Sequence, residues 1–109
     1  MPQANAPLYL CFTTVAEKED ARALARLAVE RGLAACAQID GPIESVYVWK
    51  GAAQQDPEYR VLLKAVGSRL EALEKAVAAA HPYETPQWVV VEAARVEENY
   101  LKWAQEVSK

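Results

Sequence analysis

Strand formers alternate through Leu8-Tyr9-Leu10-Cys11-Phe12-Thr13, which predicts a first β-strand. The period then changes. Apolar residues recur at Ala21, Leu24, Ala25 and Ala28, the inner face of a helix over about 17–31. Thr14-Val15-Ala16-Glu17 has capping-box spacing at its start, and Gly32 follows Glu30-Arg31 where a C-terminal cap belongs. A second strand is expected over 34–39, broken at Asp40-Gly41-Pro42 and resumed through Ser45-Val46-Tyr47-Val48-Trp49. A proline inside a strand indicates an edge position or a bulge. The polar stretch 51–57 is read as a hairpin tip, and 58–66 as a third strand. Ser68-x-x-Glu71 repeats the capping-box spacing before a second helix, whose inner face is Leu70, Leu73, Val77 and Ala80. A fourth strand runs through about 87–94. A last helix over about 97–107 places Tyr100, Leu101, Ala104 and Val107 on one side, with Trp103 beside them.

The order is βαββαβ plus a terminal helix, an α+β class. It is the ferredoxin-like split-βαβ arrangement, an antiparallel sheet with helices on one face. Its usual strand order puts the second and fourth strands at the edges, in agreement with Pro42. Helices on one face leave the other to water, yet both faces are apolar. Leu8, Leu10 and Phe12 oppose Tyr9 and Cys11, Val46 and Val48 oppose Tyr47 and Trp49, and Val89 and Val91 oppose Trp88 and Val90. Such a face predicts self-association, unless the last helix folds across part of it.

A length of 109 residues fits a single domain over 1–109, with a polar lead at 1–7 expected to be disordered. Net charge is −3, and no basic run is present. That excludes nucleic acid and anionic membranes as main partners, because both require clustered lysine and arginine. The first residues lack a signal pattern, so the expected compartment is the cytoplasm, where Cys11 and Cys36 stay reduced.

The sole histidine lies in His81-Pro82-Tyr83-Glu84-Thr85-Pro86, a proline-stiffened junction between helix and strand. It reads either as a ligand or metal site, or as a rigid elbow whose histidine caps the preceding helix. Thiolate and imidazole suit copper, so Cys36 and His81 form a candidate soft pair to which Glu84 adds a carboxylate. Cys36 is equally a small buried strand hydrophobe. A cysteine inside a strand lacks the setting that lowers a thiol pKa, so no enzyme activity is expected.

Four ordered stretches carry a family resemblance: Leu33-Ala34-Ala35-Cys36-Ala37-Gln38, Ser45-Val46-Tyr47-Val48-Trp49-Lys50-Gly51, Leu62-Leu63-Lys64, and His81-Pro82-Tyr83-Glu84. With the closing Tyr100-Leu101-x-Trp103, the chain resembles the CutA family of divalent-cation tolerance proteins from about 8 to 107. It departs at Gln38, Val48 and Ala65, where members often carry Asn, an aromatic and Thr. The resemblance implies a ferredoxin-like subunit in a homotrimer with a role linked to copper and other divalent metals, none of them required for folding. It also implies similarity to PII signalling proteins, which bind ligands between subunits. On that alternative Lys64 would meet a small anionic ligand, in a cleft lined by Tyr47, Trp49, Tyr83 and Gln38.

Overall fold

Strand β1 (Leu8–Val15) is the line on which the molecule is assembled, in a computed structural model that describes residues 6–109. It is followed by α1 (Lys18–Glu30), β2 (Cys36–Trp49), β3 (Ala52–Val66), a 3-10 turn (Gly67–Arg69), α2 (Leu70–Ala80), β4 (Val89–Glu92) and α3 (Glu98–Val107). The sheet order is β2-β3-β1-β4 with antiparallel neighbours, so β2 and β4 are the edges. The β2–β3 register shifts between Asp40 and Ile43, the bulge that Pro42 requires of an edge strand. Residues 1–5 of the expected lead lie outside the described residues. Ala6 is held, its N–H donating to Tyr9 Oη at 2.9 Å.

Alternation along β1 sends Tyr9, Cys11 and Val15 to one face, where they join Val61, Leu63 and Ala65 of β3 beneath Leu24 of α1 and Leu73 of α2. The other face is covered at one end only. There Leu8, Ala35 and Val66 lie beneath Ala104 of α3, flanked by Tyr100 and Leu101. The last helix therefore does fold across part of the second face, while Val89 and Val91 remain exposed on it.

Several local expectations are corrected. Thr14 pairs with Arg60 inside β1, so the first capping box does not form and Glu17 is the N-cap, with no side-chain bond. The second is replaced by the 3-10 turn, with Arg69 as N-cap. The cap at Gly32 holds as a Schellman pair: Gly32 N–H reaches Val29 O at 3.0 Å and Leu33 N–H reaches Ala28 O at 2.9 Å. Ala80 is exposed rather than on the inner face of α2. The fourth strand is only 4 residues long.

The largest departure is the polar stretch 51–57. The turn is only Lys50 and Gly51, both at positive φ, between the paired Trp49 and Ala52. Residues 52–57 are strand, continuing β3 past the last β1 pair, Val15–Tyr59. Beyond that pair β2 and β3 run on as a two-stranded ribbon open to water on both faces. Gln54, Gln55 and Asp56 therefore have no buried side to alternate against, and their polarity mimics a loop.

Candidate functional site

The elbow after α2 is fixed by its histidine. His81 is the C-cap of α2, its N–H donating to Val77 O at 2.9 Å. Its ring turns away to the buried Thr13 of β1. Thr13 Oγ1 donates its one proton to Gln87 O at 2.7 Å, because a carbonyl can only accept. Toward His81 Nε2, at 2.9 Å, the same oxygen must therefore accept. On the far side of the ring Nδ1 accepts the Tyr83 N–H at 3.1 Å. These bonds require neutral imidazole with its proton on Nε2, and both nitrogens are engaged. Burial lowers the His81 pKa below its ordinary value, against opposing pulls from the Thr14 backbone, Asp20 and Glu58.

Two phenols then tie elbow and ribbon to carboxylates. Tyr83 Oη donates to Glu58 Oε2 at 2.7 Å, across 25 residues of sequence. Tyr47 Oη donates to Asp56 Oδ2 at 2.6 Å across the ribbon. Burial and then the Glu58 bond push the Tyr83 pKa far up, and the Asp56 bond leads the rise at Tyr47.

Between ribbon and elbow lies a cavity of about 690 Å³. The ribbon contributes Ser45, Val46, Tyr47, Trp49 and Glu58, and β1 contributes Thr14. The elbow contributes Pro82, Tyr83, Glu84, Thr85 and Gln87.

Of the residues singled out in the sequence, Tyr47, Trp49, Tyr83 and Glu84 meet at this cavity. Cys36, Gln38 and Lys64 do not. They lie on the sheet face opposite Thr13, Cys36 paired with Lys64 and Gln38 with Leu62. Lys64 Nζ sits 5.6 Å from the centre of the Tyr100 ring, held beside α3. Cys36 and His81 are thus on opposite faces of one chain. Among the described residues no group of three His, Cys, Asp or Glu side chains is placed to hold a metal ion. The buried Cys11 thiol is pushed up to about 12, by burial first and then by Glu74. Such a thiol stays protonated and is a poor nucleophile. No helix among the described residues is long and apolar enough to cross a membrane.

Glu58 and Thr13 were not foreseen as site residues. Each looks like an ordinary strand position in its own neighbourhood, and only the sheet register brings it to the elbow 25 or 68 residues away.

Comparison with known proteins gives a consistent picture. The family model described as CutA1 divalent ion tolerance protein matches residues 9–107. The divalent-cation tolerance protein CutA of Thermus thermophilus is 37% identical over 93 residues, covering 85% of this chain and 90% of that one. The protein named CutA, chloroplastic, of Arabidopsis thaliana is 36% identical over 97 residues, covering 89% of this chain and 53% of its own length. The chain thus spans about half the length of that relative. The same holds for the mouse protein CutA, at 55%. Among solved structures, CutA from Synechococcus elongatus superposes with a TM-score of 0.90 at 35% identity, covering 96% of this chain and 93% of that one.

Proposed function

This chain belongs to the CutA1 divalent ion tolerance family. We propose that it acts in divalent-ion tolerance as a single-domain, cytoplasmic homotrimer without enzymatic activity, holding copper or another divalent ion weakly at sites completed between copies. The observation that supports this is the separation of the candidate ligands within one chain. Cys36 lies on one sheet face, while Glu58 and Glu84 lie at the cavity and both nitrogens of His81 are engaged. Cations held by oxygen ligands take roughly six or more of them. Two carboxylates from one chain leave most of those positions to water, and ligands from a second copy would tighten the hold. The free thiols of Cys11 and Cys36 fit a reducing compartment.

Titrating copper(II) against the assembled protein and against protein diluted until it dissociates is the test. Saturable binding is expected in the assembly and a loss of at least tenfold in the single chains. Equal affinity in both overturns sites completed between copies.

A second reading, small-ligand binding in the manner of PII proteins, is favoured by the cavity itself. Its volume falls within the range of roughly 300–1,000 Å³ common to small-molecule sites. An anionic ligand is less well matched, because Lys64 does not line the cavity and its Nζ lies over the Tyr100 ring.

A further inference from the structure

The charged groups lining the cavity between ribbon and elbow are all carboxylates, and its two phenols have already given up their protons to hydrogen bonds. Tyr83 and Tyr47 have each donated their hydroxyl proton to a carboxylate, Glu58 at 2.7 Å and Asp56 at 2.6 Å. What either oxygen still offers is lone pairs. Glu58 and Glu84 add carboxylates, and no Lys, Arg or His side chain lines the cavity among the described residues. The cations nearby in the sheet are committed elsewhere. Arg60 holds Asp40 through two bonds at 3.2 and 2.7 Å, and Lys64 lies over Tyr100. The remaining donors, such as Ser45, Thr85 and Gln87, are neutral.

The apolar part of the lining is aromatic. In the single chain Trp49 and Tyr47 keep 49% and 42% of their surface in water, so both rings are open on the cavity they line. Ring faces attract cations, most strongly when the cation is drawn out of water. Both phenol pKa values are raised, Tyr47 chiefly by its bond to Asp56 and Tyr83 by burial and then Glu58, and the charges of Asp56 and Glu58 add a smaller push to each.

We infer that this cavity binds a small organic ammonium ion whose N–H groups donate to Glu58, Glu84 and the phenol oxygens while its carbon skeleton lies against Trp49 and Tyr47. The inference rests on the small-ligand reading of the cavity given above and reverses the charge expected of that ligand. An anion would meet two carboxylates with no compensating cation. A bare metal ion would use the oxygens but leave the rings without a role.

The test is an NMR titration of the assembled, full-length protein with butylammonium, butanol and butyrate at matched ionic strength. Butylammonium is expected to shift the Trp49 indole signal saturably and to bind at least tenfold more tightly than the other two. Glu58→Gln keeps an acceptor for Tyr83 but removes the charge, and is expected to weaken butylammonium at least fivefold. Glu84→Gln and Trp49→Leu should each weaken it as well, with thermal melts showing that the variants fold. Equal affinity for the three probes, or a preference for butyrate, overturns the inference. Zinc chloride titrated in parallel separates the readings. Zinc binding with no butylammonium binding overturns the organic cation and leaves the metal role standing. Butylammonium binding that Glu58→Gln weakens supports it whether or not zinc binds. Binding of neither overturns the cavity as a ligand site altogether.

Discussion

Thr13 has a single hydroxyl proton, and giving it to Gln87 O fixes the protonation of His81 on the other side of the same oxygen. The consequence is measurable as pH dependence. Burial holds the folded-state pKa of His81 below its unfolded value of about 6.5. As pH falls, the unfolded chain therefore takes up the proton first, and acid favours unfolding through this group. The stability involved is present above the unfolded pKa and is lost as pH drops through it toward the folded value. Urea midpoints should fall between about pH 7 and about pH 5.5 in the wild type and fall less in His81→Gln. A wild-type midpoint that is flat or rises over that range would contradict the neutral ring. The weight of the His-Pro-Tyr-Glu segment is visible in the sequence from its composition alone. Its partners are not, because Thr13 is one β-branched residue among many in a strand and nothing local marks its hydroxyl.

At the scale of elements, the changes of period are legible and the lengths are not. A helix buries every third or fourth residue, so Ala21, Leu24 and Ala28 announce α1 directly. The ribbon has no buried face, so its polar half reads as a loop until Val61 and Leu63 enter the core. Capping boxes mislead for a related reason: continued pairing of β1 with β3 claims Thr14 for the ladder before the helix can use it. The two glycines that end elements differ in a way that can be measured. Gly32 and Gly51 both have positive φ, 68° and 79°. A side chain there strains the backbone by roughly 1–2 kcal/mol. At Gly51 an added Cβ meets open space, whereas at Gly32 it runs into the Lys109 backbone carbonyl. Gly51→Ala should cost about 1 kcal/mol and Gly32→Ala about 2 kcal/mol or more, read from chemical denaturation. Equal losses would mean that the contact with Lys109 gives way freely.

For the whole molecule the decisive quantity is apolar surface that no element of the chain covers. α3 covers Leu8 and Val66 at one end of the second face. Val89 and Val91 remain exposed there, and on the ribbon Val46 and Val48 are 71% and 72% exposed. Fully burying a valine is worth about 1.5–3 kcal/mol, so covering both ribbon valines gains roughly 2–4 kcal/mol for each copy that supplies a partner surface. A ribbon is also an open edge, and β2 offers its unpaired backbone groups alongside those side chains. Another copy of the chain carries the same apolar surface and the same edge, which makes it a ready partner. Replacing Val46 and Val48 together with lysine leaves the core untouched, since neither side chain packs in it. Sedimentation velocity at micromolar concentration should show the wild type as a multi-chain particle and the double variant shifted toward the single chain, with unchanged circular dichroism. A wild type that sediments as a single chain would leave the ribbon without its expected cover. An assembly that survives both lysines would move the contact to the Val89–Val91 end of the sheet.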